Sequence, residues 1–385
     1  MKIFKRLHLI FLILFFSSCS TFASFKLKDK HGVKHMIDSV IKDGNTPGLQ
    51  YIVFNGEKNL VNKSLGYSEI TSNNKMDEST KLMAYSMTKT FIAILTLKLH
   101  EKGLLNIEDE VIKYLPKMPY GGNLKIKHLI NQTSGIPNPI PLRWAHLSHK
   151  SKQFNEKEVF WNRVKENSKL DFSPGEKYSY SNLSYAMLGQ ILEVITEMPL
   201  GDLFQEELAS PLGIKAKDFG FNYYEDESYA VGYLKRWSFI NFLKYFVIDS
   251  NMYDEYEDGW LRFNKHYVDY KAMGGLITNA RSVGIVLQDL LREDSKLLKP
   301  EAKKLLFNIS KNNNGEEVEM TLGWHVGEVN GNKFFFKEGG GAGFHCEMRI
   351  YPDENIGSVV MTNSTSFDVK VFLNRTDKVW FSNHK

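Results

Sequence analysis

An α+β fold built on one antiparallel sheet is what this 385-residue chain predicts, and three observations carry the prediction. Short segments rich in β-branched and aromatic residues, punctuated by Gly, Asn and Pro, sit near both ends of the chain, at 49–66 and again at 323–363. The stretch between them, roughly 111–269, reads as helices and loops. No internal repeat or low-complexity run interrupts that order. Strands supplied by both ends imply one sheet flanked by helices, with an inserted, mainly helical part. A groove between two such parts is the natural place for a ligand.

The elements follow in order. Residues 34–43, "KHMIDSVIKD", form an amphipathic helix. A hairpin comes next: apolar 49–54, a turn at Asn55-Gly56, and a second strand over 59–66. "AYSMTKTFIAILTLKL", residues 84–99, is helical, with Ile92, Leu95, Leu97 and Leu99 apolar around most of its circumference, the mark of a buried helix. "FSPGEKYSYSN" carries a Pro-Gly turn and opens a helix over 183–196. Four short strands close the chain: "GWHVGEV", "KFFFKEGG", "HCEMRIYP" and "IGSVVMTN". We expect one domain over 24–385, its α/β part at about 34–110 and 270–370 and its helical part at about 111–269.

The first 23 residues stand apart. Lys2, Lys5 and Arg6 precede the apolar run 7–16, and small residues follow in "SSCSTFAS". This is the three-part pattern of a secretory signal, and the run is short for a membrane span. Three outcomes stay open: cleavage after Ala23, lipid attachment at Cys19 in the lipobox-like "FSSC", or an uncleaved anchor. The expected location is secreted or periplasmic, with the membrane as a partner through a lipid anchor. Without the three leader cations, 46 basic residues face 45 acidic ones, so charge offers no case for nucleic acid. With Cys19 lipidated or removed, Cys346 stands alone and no internal disulfide forms.

Ser-x-x-Lys occurs four times: Ser39/Lys42, Ser72/Lys75, Ser86/Lys89 and Ser382/Lys385. Spacing therefore cannot choose among them, but context can. Only Ser86 opens a buried helix, where the i, i+3 offset places Lys89 on the face of the hydroxyl. A lysine in low-dielectric surroundings loses preference for its charge and can take a serine proton. The bland reading is a capping serine with a snorkelling lysine. Two further stretches bear on the choice. Tyr180-Ser181-Asn182 lies on a loop just ahead of a helix, where Asn182 would also serve as an N-cap. "KEGGGAGF", 337–344, ends an aromatic strand with a Gly-rich turn that admits close backbone approach; a plain hairpin or bulge is the alternative.

Together, in this order, the three stretches resemble the motif set of the serine hydrolases related to class C β-lactamases, DD-peptidases and their esterase cousins. The resemblance extends to "IKHLINQTSGIPN", "AMGGLITNARSVGIVLQDLL" and the closing strands, and covers about 34–365. It implies the β-lactamase/DD-peptidase-like fold and an acyl-enzyme. By position it makes Ser86 the nucleophile, Lys89 its helical partner and Tyr180 the proton shuttle. Asn182, Lys337, Glu338 and Gly339 become substrate-binding residues, and the N–H groups of Ser86 and Gly340 the oxyanion hole. A tyrosine titrates near ~10, so its anion requires nearby ammonium groups. The implied partner is a small-molecule ester, amide or peptide, with oligomeric state left open. No metal or organic cofactor is called for, and no H-E-x-x-H, G-x-S-x-G or phosphate-binding loop supports a rival chemistry. An ester or related amide is the leading substrate expectation. A DD-peptidase, D-aminopeptidase or β-lactamase is the alternative, and a non-catalytic binding or sensor protein is the rival from another class.

Three departures from the family pattern matter. Glu338 stands where the family has Thr or Ser; in the groove it would repel a substrate carboxylate, and otherwise it points away into an ion pair. Gln132 stands where His is usual, a mild change in loop packing. The aromatic-rich segment 233–271 has no close family pattern. It is a helix packed on the helical part, an apolar wall over the groove, or a membrane-docking surface.

Overall fold

The computed structural model describes residues 30–139 and 144–381. The expectations on residues 1–23, export and lipidation at Cys19, lie outside the described residues, as does the Ser382/Lys385 spacing.

Seven strands form the main sheet. The N-terminal part supplies β1 (Gly48–Phe54), β2 (Asn59–Glu69) and β3 (Asn74–Lys75). The C-terminal part supplies β4 (His325–Val329), β5 (Asn332–Gly341), β6 (Phe344–Tyr351) and β7 (Ile356–Thr362). Their spatial order is β4-β5-β6-β7-β1-β2-β3, so the two ends of the chain meet where β7 pairs with β1. That pairing is antiparallel, with Leu49 opposite Thr362 and Phe54 opposite Gly357. Asn55 closes the first hairpin by accepting the N–H groups of Glu57 and Lys58 on its Oδ1.

Six helices matter for the site: α1 (Lys30–Lys42), α2 (Thr88–Glu101), α3 (Asn182–Thr196), α4 (Phe239–Val247), α5 (Ala280–Leu291) and α6 (Val369–Thr376). The period-2 pleat of β1 explains how they are divided. Leu49, Tyr51 and Val53 face one way, with Val33, Ile37 and Val40 of α1 and Phe372 and Leu373 of α6. Ile52 and Phe54 face the other way, into the large core shared with α2, α3 and α5. Each such side chain contributes about 1.5–3 kcal/mol when fully buried. Gln50 shares that inner face without penalty. Its Nε2 donates to the carbonyls of Asp77 and Thr80, and its Oε1 accepts the N–H of Ala280 at the start of α5.

The inserted part is less helical than its periodicity suggests. Residues 233–263 hold a three-stranded sheet of Tyr233–Lys235, Trp260–Phe263 and Tyr253–Glu257. His266–Val268 pairs with Ala145–Leu147. In the aromatic segment α4 is the one α-helix of more than two turns, followed by a 3-10 turn at Ser250–Met252; it is entered through Ser238, whose Oγ accepts the N–H of Asn241. Asp258 and Gly259, at φ +46° and +82°, make the two-residue turn between the second and third of these short strands. Asp-Gly is the residue pair that a type I′ turn favours. The small sheet meets the large one at a glycine seam. A Cβ at Gly343 would lie 2.3 Å from Cα of Gly232. The bare backbones let the N–H of Tyr233 reach the carbonyls of Gly343 and Asn363, each at 3.1 Å.

Candidate active site

Ser86 lies in a single 3-10 turn, Tyr85–Met87, immediately ahead of α2 rather than inside it. Tyr85 adopts φ +43°, a left-handed conformation that costs a non-glycine residue of order 1–3 kcal/mol. Its phenol holds it there, 2.9 Å from His266 Nε2 and 3.1 Å from the carbonyl of Ala342. The glycines of "KEGGGAGF" explain how β5 approaches this turn. A Cβ on Gly339 would meet the carbonyl oxygen of Ala84 at 2.1 Å, and one on Gly341 would meet the Tyr85 ring at 2.2 Å. The Gly-rich stretch admits the protein's own turn. Gly339 is thus a packing contact behind Ser86, whereas Gly340 lies on the cavity wall beside it.

Four predicted residues converge on one point. Ser86 Oγ is 2.7 Å from Tyr180 OH and 3.1 Å from Lys89 Nζ. Lys89 Nζ also donates to Asn182 Oδ1 at 2.9 Å and to the carbonyl of Met273. Those last two oxygens carry no proton, so each requires an N–H from Lys89. The remaining direction of the nitrogen faces Ser86 Oγ. An ammonium would donate there; a neutral amine presents its lone pair to the hydroxyl proton. Asn182 is oriented by Asn138, whose Oδ1 accepts both its backbone N–H and its Nδ2. Ser181, not Asn182, caps α3, accepting the N–H of Ser184.

Lys337 enters the cluster from β5. Its Nζ lies 5.2 Å from the Tyr180 ring centroid, and that of Lys89 lies 5.1 Å from the same ring. Lys337 Nζ is buried without a hydrogen-bond partner among the described residues. Burial pulls the Lys337 ammonium down to about 7, with Glu338 opposing weakly. Burial and then the charge of Lys337 push Lys89 well below the usual lysine range. Burial pushes the Tyr180 phenol up, outweighing its bond from Ser86. The condition for a tyrosine anion, two charged ammonium groups beside it, is thus weakened by the burial of both lysines. Desolvation outweighs the attraction, and the cluster favours a phenol with lysines drawn towards neutral amines.

Glu338 is the second correction. Period-2 alternation turns it to the opposite face of β5 from Lys337, where its Oε1 sits 2.6 Å from His345 Nε2. His345 in turn meets the carbonyl of Phe367 through Nδ1 at 2.6 Å. Glu338 neither lines the cavity nor repels a ligand in it; it is held in an ion pair away from Ser86. Cys346 is buried, its thiol donating to the carbonyls of Ala84 and Gly339, and burial pushes it well above the usual thiol range. Gln132 does more than loop packing. At φ +62°, it accepts the Ser181 N–H on Oε1 at 2.6 Å and the Ser179 N–H on its carbonyl at 2.9 Å, clamping both sides of Tyr180. Asn138, His266 and the Met273 carbonyl are supports that sequence reasoning missed, as is the clamping role of Gln132. Each acts across more than 40 residues, with no local spacing to reveal it.

A cavity of about 550 Å³ opens beside Ser86, Tyr180, Asn182 and Gly340. α4 and the small sheet form its far wall, so the aromatic segment does cover the groove.

A family model described as Beta-lactamase matches residues 33–377. Protein flp of Staphylococcus aureus (strain MW2) is 32% identical over 203 residues, 51% of this chain and 40% of flp. This chain thus spans less than half the length of that curated relative. Among solved structures, D-amino acid amidase from Ochrobactrum anthropi SV3, complexed with L-phenylalanine, aligns at TM-score 0.76 and 18% identity, over 92% of this chain and 99% of that one. EstCE1, a hydrolase with promiscuous acyltransferase activity, aligns at TM-score 0.69 and 18% identity, over 90% and 97%. At such identities the two structures show the fold alone. The family match spans most of the chain and agrees with the antiparallel sheet and its flanking helices: this chain belongs to the Beta-lactamase family of serine hydrolases.

Proposed function

We propose that this protein forms an acyl-enzyme on Ser86 and cleaves carboxylic esters or closely related amides. One observation carries the proposal: Lys89 Nζ and Tyr180 OH both contact Ser86 Oγ, while neither Lys89 nor Lys337 has a carboxylate ion-pair partner among the described residues. A neutral Lys89 amine takes the Ser86 proton, directly or through Tyr180, as Oγ attacks the carbonyl carbon. The N–H groups of Ser86 and Gly340, which flank one cavity, receive the oxyanion. As the tetrahedral intermediate collapses, the Tyr180 hydroxyl passes a proton to the leaving oxygen or nitrogen, and Lys89 restores it. Water then reverses the sequence and frees the acid. Lys337, when protonated, adds positive charge near the ring of Tyr180 and disfavours protonation of Lys89.

Glu338 does not decide the substrate, because it leaves the groove. The preference for esters rests on the apolar cavity instead. An active-site phosphonate probe should label Ser86 in the wild type and not in Ser86→Ala. A panel of p-nitrophenyl esters, D-amino-acid amides and β-lactams then separates esterase from amidase, DD-peptidase and β-lactamase. Wild-type protein shown to be folded yet left unlabelled would refute the hydrolase reading and favour a binding protein.

A further inference from the structure

Resting on that reading, we propose that the cavity beside Ser86 receives a long apolar chain, so that the substrate is an ester bearing an unbranched alkyl or alkenyl group. The far wall is apolar: Leu234 and Phe263 come from the small sheet, Phe239, Ile240 and Leu243 from α4, and Met252 from the turn after it. Ile240 and Leu243 are three residues apart on α4 and so share a face. The polar lining groups are either engaged or at the mouth. His146 is bonded to Asp269 Oδ1 at 2.9 Å, and His266 to Tyr85 and the Asn264 carbonyl. Lys150, Asp249 and Asn251 are exposed. A polar peptide laid along this wall would lose hydration without finding partners, whereas a hydrocarbon chain loses nothing.

The mouth has the same character. Phe239 lines the cavity and is still 54% exposed, and Phe242 and Trp237 beside it are 75% and 90% exposed. Large apolar side chains in such positions are uncommon away from a binding surface. They extend the apolar path beyond the cavity, in line with a chain longer than the cavity itself.

The test is kcat/KM for two series, p-nitrophenyl esters of growing acyl length and acetate esters of growing alcohol length. We expect a rise in one series of roughly fourfold per methylene, the equivalent of ~0.8 kcal/mol per buried CH2, until the pocket is filled. In Leu243→Asp, and more mildly in Leu243→Ala, the ratio of long-chain to acetate kcat/KM should fall at least tenfold. Phosphonate labelling of each variant shows whether it is folded and competent. Flat dependence in both series, with Ser86 still labelled, overturns the pocket proposal and leaves the hydrolase reading standing. Failure of wild-type labelling overturns both.

Discussion

The two faces of β5 and β6 bury charge in opposite ways. On the outer face Arg349 is fully buried and paired, its Nε on Glu347 Oε1 at 2.5 Å and its Nη1 on Asp377 Oδ2 at 3.3 Å. Tyr351 adds a bond to the same Asp377 oxygen at 2.8 Å. The two carboxylates hold the Arg349 guanidinium charged despite its burial. On the inner face, one residue away in β5 and across the sheet from Met348, Lys337 is equally buried and has no such partner. Buried charge with its counter-ions is scaffold, because removing one member strands the others. Buried cations without counter-ions are held near neutrality, ready to exchange protons. The difference separates two fully desolvated clusters: one is built as scaffold, and the other is the one proposed above to exchange protons.

Four substitutions press on that contrast. The largest effect belongs to Lys89→Met set against Arg349→Met. Lys89→Met should lower kcat by about 10²–10⁴, the usual contribution of a general base, with no loss of stability. Arg349→Met should cost about 3–5 kcal/mol in urea unfolding, while the molecules still folded keep their turnover. A stable, inactive Arg349→Met variant would collapse the distinction.

Next in size is the pH dependence of stability. Lys337 titrates at about 7 in the folded protein. An unfolded lysine titrates near ~10.4, so between these values the unfolded chain binds more protons. Stability should therefore rise with pH across that window and fall as pH drops back through it. Lys337→Met should flatten part of that slope when urea midpoints are compared from about pH 6 to about pH 10. A slope identical to wild type would mean that Lys337 stays charged, with a partner after all.

The smallest effect is expected of Glu338→Gln. With the side chain on the outer face, kcat/KM should change by no more than about twofold, within ~0.5 kcal/mol. A tenfold change, in either direction, would put Glu338 back in the groove.

What could be read from sequence divides by range. Ser86 and Lys89 were legible because, of the four such spacings, only theirs opens a buried apolar helix, where the i, i+3 offset fixes their neighbourhood. The sheet was legible from the alternating segments at both ends. Glu338 was legible in principle, since a strand that turns Lys337 inward turns its neighbour outward. Asp258-Gly259 was also a readable hairpin signal, obscured by the aromatic spacing that α4 does obey. Gln132, Asn138 and the Met273 carbonyl were not legible. Their partners lie at Ser181, Asn182 and Lys89, and only the folded chain brings them together. The shift of Lys89 towards a neutral amine was legible from its place on a buried helix; the phenol of Tyr180 follows from its own burial, which only the fold reveals.

The seam at Gly232 and Gly343 has a consequence for how the cavity wall is held. Two glycines back to back let the strip of strand and helix that lines the cavity lie directly against the main sheet. A methyl group at either glycine would wedge the strip outward and tilt the whole cavity wall, with no change at the reacting atoms. The lining of the cavity thus depends on two backbones that meet without side chains.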